Sequence, residues 1–160
     1  MPPKIDIATA PTRVGIRYPS PFDVACQARV SIRLGDAAGL TQFGVNLSRL
    51  PPGQWSGQRH WHGGEDEFVW VVEGEVVLVS DAGEEVLRAG DCVGYRAGDP
   101  DAHHLQNRSD RDAVLLEVGA RAPQDDVVHY PDIDLALRRS EGGFSHKDGS
   151  PYVRADPMKT

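Results

Sequence analysis

Residues 67–95 read EFVWVVEGEVVLVSDAGEEVLRAGDCVGY, and this stretch decides the fold. Valine recurs through EFVWVVEG, EVVLVSDAG and CVGY, and β-branched residues suit the half-buried face of a pleated sheet better than a helix. Glu73-Gly74-Glu75 and Asp81-Ala82-Gly83 are hairpin turn signals between alternating runs. Working outward, VSIRL at 30–34 places Val30, Ile32 and Leu34 on one face, and LTQFGVNLSRL at 40–50 does the same with Phe43, Val45 and Leu47. HHLQN at 103–107 and AVLLEVG at 113–119 complete the series. Turn signals return at strand-plus-turn spacing, and no amphipathic helix interrupts them. The expectation is a single all-β domain over residues 29–119, a sandwich or barrel.

The flanks differ. Residues 1–28 carry Pro2, Pro3, Pro11, Pro19 and Pro21 without sustained periodicity and read as an arm lying over the domain. Residues 120–160 are polar and broken by Pro123, Pro131, Pro151 and Pro157; they read as a segment packing on or capping the barrel. Within them Ile133, Leu135 and Leu137 alternate as one edge strand would. The chain has 160 residues, enough for a core that needs no disulfide staples. Its Cys26 and Cys92 form no CxxC and read as reduced thiols. A formal charge of −7 argues against nucleic acid and anionic lipid as partners. No apolar run approaches the ~20 residues of a membrane helix, and the first residues hold no apolar stretch of signal-peptide type. A cytoplasmic location is the expectation.

Four of the six histidines fall in two places. In RHWHGGEDEFVWVVEGE at 59–75, His60 and His62 are two apart and share a face on a strand. Glu67 follows a Gly63-Gly64 turn and can fold back beside them. In AGDPDAHHLQN at 97–107, His103 and His104 open a late strand. Two imidazoles and a carboxylate on one face suit zinc, iron(II), manganese, nickel or copper, and a fourth ligand from a distant strand would complete the protein side.

At this point the sequence resembles the cupins. Gly53, His60-Trp61-His62, Glu67 and Gly74 follow the family's first motif, with Gly53 one residue farther from the first histidine than is usual. Gly90, Gly98, His103 and Asn107 follow the second, with Arg96 where proline is expected and two extra residues before His103. The segments GLTQFGVNL, EDEFVWVVEGE and YPDIDL are similar to a group of single-domain bacterial cupins. The resemblance implies a double-stranded β-helix, or jelly-roll barrel. It also implies one divalent transition metal per chain (Zn, Fe, Mn or Ni) held by His60, His62, Glu67 and His103. Family spacing selects His103 over His104, and strand parity then points Leu105 inward with it, His104 and Gln106 outward.

The implied function is a metal-dependent enzyme acting on a small hydroxylated or carboxylated metabolite, by isomerase, lyase or dioxygenase chemistry. The alternative is a non-catalytic module that binds a small molecule or a metal. His104, Glu65, Asp66 and Tyr95 are the candidates for acid–base work, each weighed against simple solvation. Arg33, Arg49 and Arg96 are candidates for a substrate anion. His129, Tyr130 and His146 could form a lid, and Asn107 reads as a turn cap. Trp61 should face away from the site. Phe68, Trp70 and Val72 share a face opposite Glu67, Val69 and Val71, so the arm or a second subunit should cover them, and a homodimer is expected.

Overall fold

The computed structural model describes residues 4–122, 126–138 and 143–152; Pro2, Pro3, Pro123 and Pro157 lie outside them. Its strands are β1 (Thr12–Val14), β2 (Val30–Arg33), β3 (Phe43–Leu50), β4 (Trp61–His62), β5 (Glu67–Glu73), β6 (Glu75–Ser80) and β7 (Gly83–Arg88). They continue as β8 (Cys92–Tyr95), β9 (His104–Gln106), β10 (Ala113–Ala120), β11 (Val127–Tyr130), β12 (Leu135–Arg138) and β13 (Gly143–Ser145). One four-residue helix, α1 (Leu34–Ala37), follows β2.

Two layers face each other. One is a six-stranded antiparallel sheet in the order β1-β2-β3-β10-β5-β8. The other combines β7-β6-β9 with β13-β12-β11-β4, which meet at an antiparallel bridge between His60 and His103. This is an all-β jelly roll whose hydrogen-bonded ladder stays open between the layers. The valine-rich hairpin behaves as its sequence dictates. Gly74 turns β5 into β6 at φ +76°, and a Cβ there would meet Asp112 O at 2.8 Å. A side chain at that position therefore faces both an unfavourable backbone region and a backbone clash.

Leu50, Val71, Val76, Leu105 and Leu115 close the core between the layers, each at most 2% exposed. A second core joins Tyr18 and Cys26 of the N-terminal segment to Val128, Tyr130 and Leu135. Ile133, Leu135 and Leu137 give no edge strand. Ile133 lies in a turn, and β12 sits between β11 and β13.

The six-stranded sheet is apolar on its outer side as well. Ile32, Leu47, Leu116 and Trp70 form one cross-strand row on that side, and Val45, Val118 and Phe68 form the next. On β3 the inward residues are Ser48 and Leu50, both 0% exposed, while Phe43, Val45 and Leu47 face out. Ser48 is satisfied there by Ser31 Oγ at 2.8 Å and by donating to Glu117 at 2.7 Å, and Glu117 pairs with Arg29. Burying Ser31, Ser48 and Glu117 costs little because each has a partner, while Arg29 Nε–H has none among the described residues.

Candidate metal centre

The approach to His60 is fixed from several sides. Arg59 reaches Asp132 through Nε and Nη2, both at 2.7 Å, and pairs with Asp81 and the Ala102 carbonyl through Nη1. The preceding loop is held by Gln58, whose side chain donates to Phe22 O and whose N–H donates to Tyr18 Oη. Gly98 N–H donates to His62 O at 2.8 Å, drawing the 96–99 loop over the strand that carries the histidines.

His60, His62 and His103 all turn Nε2 toward Glu67. The distances to its carboxylate oxygens are 3.8, 3.5 and 3.2 Å respectively. Their other ring nitrogens face oxygen acceptors. His60 Nδ1–H donates to Gln58 O at 2.7 Å, and His62 Nδ1 stands 2.9 Å from Asp126 Oδ2. His103 Nδ1 is 3.4 Å from Asp101 O. Committing Nδ1 to an oxygen leaves the Nε2 lone pair of His60 and His62 for a ligand, the tautomer that metal-binding imidazoles use. His103 Nε2–H donates to Glu67 and would give up that proton to a metal. Ligand atoms of His60, His62 and Glu67 lie within 4.8 Å of one another, and those of His62, Glu65 and Asp126 form a second such group. The chemistry of this donor set, three imidazoles and one carboxylate, fits a first-row divalent cation.

His104 turns the opposite way. Its Nδ1–H donates to Gly57 O at 3.0 Å, the Gln106 amide sits 2.9 Å from its Nε2, and Trp55 packs edge-on at 4.7 Å. Of the remaining candidates, Glu65 is 4% exposed and accepts from Ala122 N–H, so burial replaces the solvation expected of it. Asp66 accepts from Ala97 N–H in the loop. Arg33 pairs with Asp36 and Arg49 with Asp112, away from the site. Asn107 is buried and donates to Leu50 O and Arg111 O, closing the turn before β10.

A cavity of about 140 Å³ opens onto His62, Glu67 and His103, with Glu65, Tyr95, Arg96, Asp99 and Asp101 around it. Tyr95 stacks on His103 at 3.3 Å, and its buried hydroxyl has no hydrogen-bond partner among the described residues. Burial, and then the Glu67 charge, push that phenol well above its ordinary pKa, so it holds its proton. Trp61 stacks on His129 at 4.0 Å, on the face of β4 and β11 opposite His62 and Val128, as expected, and its residue also borders the cavity because β4 is only two residues long. Tyr130 is buried and stacks on His60 at 5.8 Å, and His146 bonds Asp134; neither lies over the cavity mouth.

Sequence reasoning missed Asp126. It is 2% exposed and comes from the proline-broken C-terminal segment, and only its acidity could have drawn notice.

Acid should weaken this centre. Burial pushes His60 down to about 4, outweighing the attraction of Glu67. Burial works to raise Glu67, yet the His103 hydrogen bond and the surrounding imidazoles hold it at about 2. Both values lie below those of the unfolded chain, roughly 6.5 and 4.3. As pH falls, the unfolded chain takes up these protons first, so stability drops from about pH 6.5 to 4 through His60 and below about 4.3 through Glu67. The melting temperature of metal-free protein should decline between pH 7 and 4.5, with a shallower slope in His60→Asn. A flat profile shared by both proteins would contradict this.

Comparison with known proteins agrees with the geometry. The cupin domain model matches residues 46–119. A cupin-superfamily protein of Silicibacter pomeroyi, named a sugar phosphate isomerase, is 46% identical, with a TM-score of 0.86 over 95% of this chain and 98% of that one. A protein of Acidithiobacillus ferrooxidans, provisionally assigned as a sugar phosphate isomerase, is 35% identical, with a TM-score of 0.68 over 74% of each chain. A cupin protein of Bacteroides fragilis is 25% identical, with a TM-score of 0.51 over 57% of this chain and 76% of that one. No curated protein matches.

Proposed function

This chain belongs to the cupin superfamily, and on that premise we propose that it is a metal-dependent enzyme acting on a small hydroxylated or carboxylated metabolite. One observation carries the reading: three imidazole Nε2 atoms converge on the Glu67 carboxylate at the wall of a cavity. His60, His62, Glu67 and His103 would hold one divalent metal, which when bound supplies Lewis acidity toward a carbonyl or carboxylate oxygen. The chain's own groups do the rest. Tyr95 presents a protonated hydroxyl, Glu65 is a buried carboxylate within the cavity wall, and Arg96 can pair with a ligand carboxylate.

The named relatives favour isomerisation among the possible chemistries. The lining sets Glu65, Glu67, Asp99 and Asp101 against Arg96 and the divalent metal that Glu67 would help to hold, so Arg96 is the lining side chain that can pair with a substrate anion. The second reading is a non-catalytic module that holds a metal or small metabolite in the same cavity of about 140 Å³. Metal analysis of protein made without added metal, followed by substrate-depletion screens with and without oxygen, separates these. Turnover without oxygen uptake supports an isomerase or lyase; oxygen uptake with iron would make it a dioxygenase. Tight binding of a metabolite that is never consumed would leave the module.

The location we propose is cytoplasmic, which suits the unpaired Cys26 and Cys92. Among the described residues, no helix is long and apolar enough to cross a membrane. The second partner we propose is another copy of this chain, seated on the outer face of the six-stranded sheet. The N-terminal segment leaves that face open, with Phe43, Phe68, Trp70 and Val72 each 40–47% exposed. Sedimentation should show a dimer that Trp70→Glu converts to monomer; a wild-type monomer at tens of micromolar would exclude it.

A further inference from the structure

We propose that Asp126 is a positioning residue that fixes the tautomer of His62 and thereby makes the metal centre competent. The inference rests on the metal-binding reading of the site and assigns a role to a residue outside the cupin-domain match.

The turn after the two histidines is stitched to the C-terminal segment along its length. Gly63 N–H donates to Val127 O at 2.9 Å, Ala122 N–H to Glu65 Oε1 at 2.8 Å, and Asp126 N–H to Ala122 O at 2.9 Å. Register on β4 and β11 sets Val128 opposite His62, so Asp126 arrives just before that pair. Its carboxylate is committed at both oxygens. Oδ1 accepts Gly64 N–H at 3.2 Å, and Oδ2 lies 2.9 Å from His62 Nδ1. Glu65 Oε2 is 3.9 Å from that nitrogen, beyond hydrogen-bond reach. An ionised carboxylate only accepts, so Asp126 holds the His62 proton on Nδ1 and leaves Nε2 bare toward Glu67. The side chain is fully enclosed, and in such a setting a carboxylate behind an imidazole orients the ring.

This arrangement makes Asp126→Asn informative. Asparagine offers one acceptor where two are used. If its oxygen stays with Gly64 N–H, its NH₂ faces His62 Nδ1 and demands a lone pair there. The proton then moves to Nε2, the atom that must bind metal. Serving His62 instead would strand Gly64 N–H beside an amide donor, so one of the two contacts is lost in either orientation.

The test uses the full chain, with Mn²⁺ and Zn²⁺ as probes. In metal-free wild type, long-range ¹H–¹⁵N spectra should show His62 protonated on Nδ1, and in Asp126→Asn on Nε2. Affinity for each metal should fall about 10- to 100-fold in the variant, while its metal-free melting temperature stays within a few degrees. Asp126→Glu, which restores a carboxylate, should recover part of the affinity. An unchanged tautomer, or affinity within about threefold of wild type, overturns the proposal, as does a loss of melting temperature without the tautomer change. The spectra need no metal. A wild type that binds neither ion would defeat the metal reading while the tautomer readout still judged Asp126.

Discussion

A His103→Ala protein is expected to bind no divalent metal at concentrations that fill the wild-type site, whereas His104→Ala keeps full stoichiometry. The two residues are adjacent, so composition and local exposure barely distinguish them; both are about 5% exposed or less. Their ring nitrogens differ completely. His103 Nε2 lies 3.2 Å from Glu67, while both nitrogens of His104 are engaged by Gly57 O and Gln106. Losing one of four ligands should exceed the roughly 10- to 100-fold cost of losing an outer hydrogen-bond partner. Removing His104 leaves a gap beside Trp55 and lowers the melting temperature without touching the metal. His103→Gln guards against misfolding, since it fills similar volume. Metal per chain, measured after dialysis, decides the matter, and the reverse pattern would mean that the loop before β9 presents the other histidine.

The largest stability loss is expected from Leu115→Ala. Leu115 is 0% exposed on β10, the strand shared by β3 and β5, directly opposite Ser48 on one side and Val71 on the other. Neither neighbour is free to close the gap. Ser48 is tied to Ser31 and Glu117, and Val71 is hydrogen-bonded at both backbone groups, to Asp91 and Gly90. Sites that cannot collapse lie toward the upper part of the ~2–5 kcal/mol range for such truncations, so about 3–4 kcal/mol is expected. For a chain of this length that lowers the melting temperature by about 6–16 °C. Val86→Ala, at a side chain 41% exposed, should cost under about 0.5 kcal/mol. Urea unfolding of both variants checks the contrast, and a Leu115→Ala loss below about 1 kcal/mol would show that the layers repack.

Most of the strands were legible because valine-rich alternation and paired turn signals are local properties of the chain. Parity alone also separates His103 from His104, and the structure turns those side chains in opposite directions. Alternation does not say which face is inward when both faces carry apolar residues. That is why the inward positions of β3 are Ser48 and Leu50 instead of Val45 and Leu47: the outer side of this sheet is itself lined by Leu116, Val118, Phe68 and Trp70. Ser31, Ser48, Glu117 and Arg29 enter the interior as a connected set, and nothing in a linear sequence announces that they will meet. Asp126 escaped for a related reason. Its partner His62 lies 64 residues away, in a different element, and the segment around Asp126 has no period to read.

The place of β10 between β3 and β5 has a kinetic consequence. Its pairing with β3 joins residues about 60 to 80 positions apart, Ala113 with Leu50 and Ala120 with Phe43. Such contacts give the chain a high contact order, so folding should take milliseconds to seconds and not microseconds. Until β10 is synthesised and docks, β3 and β5 both present unpaired, apolar edges. A nascent chain that has emerged only as far as Asn107 is therefore an aggregation hazard, and a slow ribosome over residues 108–120 would lengthen that exposure.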